Sequence, residues 1–233
     1  MLKLGEATIR PMFLGDAEIR KAFLGEELVY QLSNLPEGYT EVEYIRFNGN
    51  KNRFDLLSTV TCNSDRLLVN VKPGSAGTGT SSYQIILEIY NATATASRNY
   101  GIILGSSGTS TLYYRMNHIP SAYKTANVTM VGDLLTFDLD FSGNVYSVNG
   151  ISLAGVKNSN VVGGSGKSIG SYSSASVKGD FYGMKHYKSG ELIHNYTPCI
   201  NPDGVAGLFD SVSKTFIRNT HTSPTSVTAG PAV

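Results

Sequence analysis

The sequence of 233 residues has no tryptophan, only two cysteines and only eight prolines. An excess of charge of either sign is also lacking: the formal net charge is +1, and no run of lysine or arginine occurs. Nucleic acid and anionic membrane surfaces are therefore poor matches as principal partners. No apolar run approaches the ~20 residues that a membrane helix needs, and the N-terminus lacks the basic-then-apolar order of a secretory signal. We expect no membrane insertion, synthesis in a cytoplasm, and reduced, buried side chains for Cys62 and Cys199 rather than a disulfide.

What is abundant is glycine (25 residues) and tyrosine (14 residues), a composition typical of short strands joined by many turns. Beyond residue 35 apolar residues alternate with polar ones, and this period of two predicts strands over 43–47, 67–71, 83–90, 100–104, 112–116, 134–141, 145–148, 179–187 and 215–218. Asn149-Gly150 and Ser189-Gly190 predict tight hairpins. No amphipathic helix of three turns is evident. The sequence thus predicts an all-β fold of two packed antiparallel sheets.

The first 32 residues contain a repeat in which Leu-Gly is followed by an acidic residue, with a strict period of ten. Glycine at the first central position favours a two-residue hairpin turn, so Gly5, Gly15 and Gly25 predict three turns of a four-stranded meander. A β-prism or β-solenoid is a variant of the same interpretation. In the meander register Met12 lies opposite Ile19, Phe23 lies opposite Leu28, and Ala22 lies opposite Val29.

Both faces of this meander are apolar, although so small a sheet cannot cover two apolar faces by itself. Either the following domain covers one face, or copies of the segment pack together or dock on a larger assembly. The second interpretation makes residues 1–34 an attachment or oligomerisation arm. Its candidate contact residues are Leu2, Ile9, Met12, Phe13, Ile19, Phe23, Leu28, Val29 and Leu32.

Two end segments of the remaining chain resemble those of a known domain family. Residues 35–45 (LPEGYTEVEYI) and 196–210 (YTPCINPDGVAGLFD), with Lys214-Thr215-Phe216, are similar to the opening and closing segments of concanavalin A-like, or laminin-G-like, jelly-roll domains. Such domains are widespread in virion proteins of tailed bacteriophages and prophages, and the Leu-Gly-acid repeat is similar to N-terminal modules of the same proteins. The resemblance implies a jelly-roll sandwich over residues 35–233, displayed on a phage particle and used for glycan adhesion or as a tail or surface component.

Physical chemistry favours a scaffold role for these end segments. Gly38-Tyr39 is expected to form a turn and an aromatic plug, and Tyr44, Ile45 and Phe47 to begin a central strand. Asp210 is expected to accept hydrogen bonds from the backbone of a closing hairpin.

Catalytic and metal-binding patterns are weak in this sequence. Glu41 and Glu43 share one strand face but lack the longer acidic motif of laminarinase-like jelly rolls, so solvated carboxylates are the favoured interpretation, as for Asp138 and Asp140. His118, His186, His194 and His221 lack zinc spacing, and the predicted hairpin register sets His186 opposite Ile193 and His194 opposite Lys185, so the two do not converge. The segment 163–168 (GGSGKS) mimics part of a phosphate loop, but a flexible loop is expected there. We expect no cofactor and no metal, although one loop-bound calcium ion is compatible with the fold.

A glycan-binding surface needs an aromatic face beside planar polar groups. Alternation along 112–117 directs Tyr113, Arg115 and Asn117 away from the core, and these form the first candidate site; Gln84 and Glu88 form a second. The alternative is that Tyr113 and Arg115 only cover an exposed sheet face. The Gly/Ser/Thr-rich segments 74–82 and 160–176 are expected to be loops that could also carry recognition.

Taken together, the residues and the resemblance predict a non-enzymatic virion protein that is made in the cytoplasm of a bacterial host. We expect it to assemble with other copies of itself, with a trimer favoured, and with other virion proteins. The first expectation is a tail or fibre component that adheres to a host-surface glycan. The alternative is a head fibre or capsid decoration whose contacts are with virion proteins. A glycosidase acting on host polysaccharide is a weaker alternative.

Overall fold

The computed structural model describes backbone and side chains for residues 35–48, 52–58, 60, 64–74, 132–143, 145–153, 169, 178–220 and 227–233, and elsewhere the backbone of strands alone. The described part of the chain is all-β and contains no helix, so nothing in it is long and apolar enough to cross a membrane as a helix. The strands are β1 (Lys3–Leu4), β2 (Ala7–Thr8), β3 (Met12–Leu14), β4 (Ala17–Ile19), β5 (Lys21–Leu24), β6 (Glu27–Gln31), β7 (Thr40–Glu41), β8 (Ile45–Asn48), β9 (Arg53–Asp55), β10 (Asp65–Pro73), β11 (Tyr83–Tyr90), β12 (Asn99–Gly105), β13 (Thr111–Tyr114), β14 (Lys124–Asn127), β15 (Leu135–Asp140), β16 (Val145–Val148), β17 (Ile151–Ser152), β18 (Gly166–Gly170), β19 (Lys178–Lys188), β20 (Glu191–Ile200), β21 (Ala206–Asp210), β22 (Thr215–Arg218) and β23 (Val227–Ala229).

These strands form one large sheet, one sheet of four strands, and several isolated hairpins. The large sheet follows the order β17-β16-β15-β10-β19-β20-β21-β22, and β7, β8 and β23 join it beside β20 and β19. The smaller sheet follows the order β12-β11-β18-β9. Neighbouring strands of the large sheet are antiparallel. Short turns explain this direction for the pairs that follow each other in the chain, such as β15-β16 and β19-β20.

The core lies on the face of the large sheet that packs against the smaller sheet. Along β10 and β15 every second side chain is buried, as the period of two predicts. From the smaller sheet Phe54 and Ile169 are fully buried, and the Phe54 ring lies 5.8 Å from that of Phe47 on β8. This arrangement is consistent with a β-sandwich; the jelly-roll connection and the division of the chain at residue 34 stay predictions.

Strand β19 is shared between two partners on one of its edges. Its first half pairs with β8 and its second half with β20. At the fork, Gly183 has a φ of +133° and a Cβ there would lie 2.9 Å from the carbonyl oxygen of Tyr196, so glycine permits the close approach. Pro198 follows on β20 and cannot donate to a ladder, while its carbonyl accepts from Val42 N at 3.1 Å. The fork separates two polar regions described below.

The strand and turn predictions are largely confirmed. Asn149-Gly150 joins β16 to β17 and Ser189-Gly190 joins β19 to β20, with φ values of 48° and 77° in the first turn and 51° and 84° in the second. One prediction was wrong: the loop expected over 160–176 contains β18, which pairs with β11 and β9. The glycine and serine residues of β18 obscure the alternating pattern of a strand in the sequence, although its Ile169 is fully buried.

In the N-terminal repeat the structure describes three separate hairpins, β1-β2, β3-β4 and β5-β6, and no ladder in the described residues joins them into the four-stranded meander. The registers of Met12 with Ile19 and of Phe23 with Leu28 are confirmed. The register of Ala22 with Val29 was wrong, because a bulge next to Phe23 sets Ala22 opposite Tyr30. Leu2, Ile9 and Leu32 lie outside the described residues.

The turn and the aromatic plug that the sequence predicts for the opening segment are present. Gly38 takes a φ of +84°, and the Tyr39 ring lies 5.3 Å from Phe209 and 5.8 Å from Phe216. Cys199, on the same side of the sheet, carries a buried free thiol. Cys62 lies outside the described residues.

Candidate functional site

An open groove of about 460 Å³ lies where β8, β10 and β19 run side by side. Charged side chains, one amide, three glycines and the apolar residues Phe47 and Pro73 line it. The lining residues are Arg46, Phe47, Asn48, Lys72, Pro73, Gly74, Gly132, Lys178, Gly179 and Asp180, and we refer to this feature as the sheet groove.

Strand alternation and register bring these polar side chains together. On β8 the buried residues alternate with the exposed Arg46 and Asn48, so the latter lie on the face away from the core. Asp180 on β19 is directly opposite Arg46 on one side and Lys72 of β10 on the other, and Lys178 is opposite Asn48. Three strands that are distant in sequence thus place their polar side chains in adjacent rows.

The centre of the sheet groove is an arginine–aspartate pair joined by two hydrogen bonds. The Arg46 guanidinium donates to both Asp180 oxygens, from Nε to Oδ1 at 2.7 Å and from Nη2 to Oδ2 at 2.9 Å. Hydrogen bonding to Asp180 raises the pKa of Arg46, so its charge persists throughout the accessible pH range. The Arg46 side chain is 49% exposed whereas that of Asp180 is 11% exposed, so a ligand in the groove meets mainly the guanidinium.

Two tyrosines extend this centre with aromatic surface. The rings of Tyr44 and Tyr182, which we call the tyrosine pair, lie 5.4 Å apart and tilted by 56°. Arg46 lies 5.0 Å from the Tyr44 ring centroid, and its Nη2 donates to Tyr44 Oη at 3.0 Å. Gly230 lets the Tyr44 ring lie close to the C-terminal backbone, because a Cβ there would be 2.9 Å from the ring. Burial and the nearby Asp180 charge raise the pKa of Tyr182, which keeps its hydroxyl protonated.

Glycine also shapes the floor of the sheet groove. Gly179 has a φ of +144°, and a Cβ there would lie 2.5 Å from the Lys72 carbonyl oxygen and 2.9 Å from Gly74 N. The two strands can therefore approach closely, and Gly74 N donates to the Lys178 carbonyl at 2.9 Å. Because Gly74 and Gly132 carry no side chains, this end of the groove is not obstructed from within its own lining.

A second polar cluster is buried in the core on the other side of the fork. His186 of β19 and His194 of β20 lie directly opposite each other, with ring centroids 5.7 Å apart. The prediction that they do not converge was wrong, because a bulge at Ile193 shifts the register next to His186. His186 Nε2 pairs with Asp65 Oδ2 at 2.8 Å, and both side chains are fully buried.

His194 joins a serine and an aspartate in one chain of hydrogen bonds. Its Nδ1 lies 2.7 Å from Asp210 Oδ2, and its Nε2 lies 2.7 Å from Ser58 Oγ. This is the connectivity that hydrolases use to activate a serine nucleophile. The His194 ring also stacks on Tyr196, whose hydroxyl accepts from Leu57 N at 3.1 Å. The Leu57 amide, next to Ser58, is therefore engaged by Tyr196.

Asp210 connects these hydrogen bonds of His194 to the closing hairpin. It accepts from Asn195 N at 2.8 Å, from Val212 N at 3.2 Å and from both the amide and the hydroxyl of Ser213, which confirms its predicted role at the turn. Burial alone would raise the pKa of Asp210, but the hydrogen bonds from Ser213, Asn195 and His194 outweigh it and lower the pKa. With Asp210 ionised, His194 carries a proton on Nδ1.

Of the other acidic pairs from the sequence, Asp138 and Asp140 have side-chain or backbone partners. Asp138 and Asp140 lie on the face away from the core, as predicted, and Asp138 receives a bidentate pair of hydrogen bonds from Arg66 at 2.8 and 2.6 Å. Glu41 lies on β7 and Glu43 just beyond it, at the chain's approach to the large sheet. Within the described ranges no three histidine, cysteine, aspartate or glutamate side chains are placed to hold a metal ion.

The candidate residues proposed from sequence fall where only the backbone is described, or outside it. Tyr113 lies on β13, opposite Thr125 of β14, and Gln84 and Glu88 lie on β11. Arg115 and Asn117 are outside the described residues. The role of these five residues in glycan binding stays a prediction.

Sequence reasoning missed the sheet groove. Part of the pattern that indicates it is present in the sequence. Polar Arg46 and Asn48 alternate with apolar Ile45 and Phe47, and Asp180 precedes Phe181. Joining the two segments requires the pairing of β8 with β19, and Arg46 and Asp180 are 134 residues apart in sequence. A local period cannot supply that pairing.

Comparison of the chain with protein-family models, with curated proteins and with solved structures finds no match. The resemblance of its end segments to concanavalin A-like phage domains therefore stays a prediction, and the function has to be argued from the site itself.

Proposed function

We propose that this protein is a non-enzymatic carbohydrate-binding protein and that the sheet groove with the tyrosine pair is its binding site. The observation that carries the proposal is the fixed Arg46–Asp180 pair beside the half-buried rings of Tyr44 and Tyr182. Pyranose rings present C–H faces that pack on aromatic rings and hydroxyls that form paired hydrogen bonds with planar groups. A preformed site of this kind binds without loss of side-chain freedom at its charged centre.

The resemblance of the end segments to concanavalin A-like phage domains suggests where such binding would be used. A glycan-binding domain on a tail or fibre of a phage particle would attach the particle to the surface of a bacterial host. The same resemblance permits the alternative of a head fibre or capsid decoration, whose partners are virion proteins and not glycans.

Glycan-array binding by the full chain, followed by calorimetry on the strongest hit, tests the proposal. The informative variant is Arg46→Met with Asp180→Asn, which removes both charges together and leaves no unpaired carboxylate. Its matched control is Arg66→Met with Asp138→Asn, a bidentate pair on the same sheet face outside the groove. We expect affinity to fall roughly tenfold or more in the first variant and to be unchanged in the control. Equal affinity in both variants would exclude the groove.

The N-terminal hairpins support a second element of the proposal, assembly with other copies. Isolated two-stranded hairpins are marginally stable in water, and the cross-strand neighbours Met12 and Ile19, and Phe23 and Leu28, are apolar. Association with other copies would bury them. Light scattering of the full chain should give an oligomer, with a trimer expected, and Met12→Ser with Phe23→Ser should reduce it to a monomer, whereas Glu18→Ser in the same hairpins should not. A monomeric full chain would contradict assembly without bearing on the groove.

A further inference from the structure

The charge of the sheet groove is unbalanced in one direction. Three cationic side chains line it, those of Arg46, Lys72 and Lys178, against the single carboxylate of Asp180. Both oxygens of that carboxylate are engaged by Arg46. Neither lysine forms an ion pair with any residue in the described part of the chain. Among the described residues, the groove therefore presents two amines that have no ion-pair partner.

The register fixes where these amines lie. Lys72 of β10 is directly opposite Asp180 of β19, and Lys178 of β19 is directly opposite Asn48 of β8. The two amines therefore come from neighbouring strands and border the same cavity. Arg46 lies in the same cross-strand row as Lys72, with Asp180 between them, and Lys178 lies in the next row. Asp133, the acidic residue that follows Gly132 in sequence, is exposed and does not line the groove. As far as the described lining residues go, an anionic group placed in the groove would thus meet cations and no carboxylate that is free to repel it.

We propose that the ligand of the sheet groove is an acidic glycan, whose anionic substituents pair with Lys72 and Lys178 while its ring packs at the tyrosine pair. This inference rests on the proposed function and adds the class of glycan. Like charges gathered in a groove attract an oppositely charged ligand and orient it as it binds. A neutral glycan would use Arg46, Asp180 and the tyrosines, but would gain nothing from the two amines.

The test compares polymers that differ only in charge, with the full chain as the binding partner. Polygalacturonate and its fully methyl-esterified form share one backbone, and dextran sulfate and dextran provide the same comparison for a sulfate ester. Polyglycerol phosphate supplies a phosphodiester without a sugar ring. We expect polygalacturonate or dextran sulfate to bind at least roughly tenfold more tightly than its neutral counterpart, and polyglycerol phosphate to bind less tightly than either acidic polysaccharide.

Lysine variants assign the preference to the groove. Lys72→Met and Lys178→Met should each weaken binding of the acidic polymer by roughly two- to fivefold, as expected for exposed ion pairs, and leave binding of the neutral polymer unchanged. Lys185→Met, an exposed lysine on the same strand outside the groove, is the matched control. Raising the salt concentration should weaken binding to the acidic polymer in the parent chain more than in the double lysine variant.

The outcomes separate the two claims. Equal binding of acidic and neutral polymers that is lost in the Arg46→Met/Asp180→Asn variant would overturn the acidic preference and leave carbohydrate binding at the groove intact. All anionic polymers, polyglycerol phosphate included, could bind equally well, with binding unchanged in Lys72→Met and Lys178→Met. That result would overturn the inference and indicate nonspecific attraction. Absence of binding to every acidic polymer would overturn the acidic preference, and absence of any hit on the glycan array as well would overturn both.

Discussion

His186 and His194 lie directly opposite each other in the core face of the large sheet, and each is bound by a different aspartate on a neighbouring strand. Asp65 of β10 and Asp210 of β21 thus enclose two imidazoles that come from the hairpin between them. His186 Nδ1 is buried and has no hydrogen-bond partner among the residues that the structure describes, so the surrounding pairs must offset one unsatisfied polar atom. The cluster links four adjacent strands of the sheet through side chains.

The carboxylate of Asp210 is expected to be a large contributor to stability. It is fully buried and accepts from three backbone amides, a serine hydroxyl and His194. Asp210→Asn should lower the free energy of unfolding by about 2–4 kcal/mol, because an amide replaces one acceptor oxygen with a donor that faces other donors. Urea denaturation measures this change. Asp203→Asn, an exposed turn residue in the same part of the chain, should shift the curve by less than about 0.5 kcal/mol.

The lowered pKa of Asp210 also predicts how stability depends on pH. A carboxyl whose pKa is lower in the folded state binds protons more readily when unfolded. Its contribution is therefore fully present above the unfolded value of about 3.9 and is lost as pH falls from there through the folded pKa. Between pH 5 and pH 2 the parent chain should lose more stability than Asp210→Asn. Parallel curves for the two proteins over this range would contradict the assignment.

The Cys199 thiol is expected to be unreactive in the folded protein. Burial raises its pKa to about 12, and the Glu41 charge adds to this shift, so the nucleophilic thiolate is scarce at neutral pH. In a Cys62→Ser variant, where Cys199 is the only thiol, a disulfide reagent at pH 8 should react slowly with native protein and rapidly in denaturing urea. A fast native reaction would show that the thiol is accessible and ionised.

Gly179 should tolerate a side chain less well than other glycines with positive φ. Gly204 has a φ of +77° and open space around it, whereas a Cβ at Gly179 would meet the backbone of Lys72. We expect Gly204→Ala to cost about 1 kcal/mol and Gly179→Ala at least about 2 kcal/mol more, since the strands must separate at the groove floor. Thermal unfolding of both variants provides the comparison. Equal costs would mean that β10 and β19 do not approach as closely as described.

Ser58 provides a test of the non-enzymatic proposal. Its hydroxyl completes the chain with His194 and Asp210, yet the adjacent Leu57 amide is engaged by Tyr196. We expect no covalent adduct by intact mass after treatment with a fluorophosphonate, and a stability loss of about 1 kcal/mol in Ser58→Ala. An adduct at Ser58 that disappears in His194→Asn would instead identify a serine hydrolase.

The sequence predicted the local features of this fold better than its long-range ones. Alternation located most strands of the large sheet, and asparagine or serine followed by glycine located two hairpins, because both signals lie within a few residues. The bulge at Ile193 leaves no such signal, so the register of His186 and His194 was misassigned. Strand β18 was missed because glycine and serine dominate it, and the sheet groove was missed because β8 and β19 are distant in the chain.

The central claim is that the sheet groove, and not another surface, receives the glycan. Backbone amide chemical shifts of the isotope-labelled full chain, recorded during titration with a polygalacturonate oligosaccharide, test it most directly. The largest changes should cluster at Arg46, Asn48, Lys72, Lys178 and Asp180, and should be absent from the β13-β14 hairpin that carries Tyr113. Changes confined to that hairpin, or scattered without a cluster at the groove, would contradict the account.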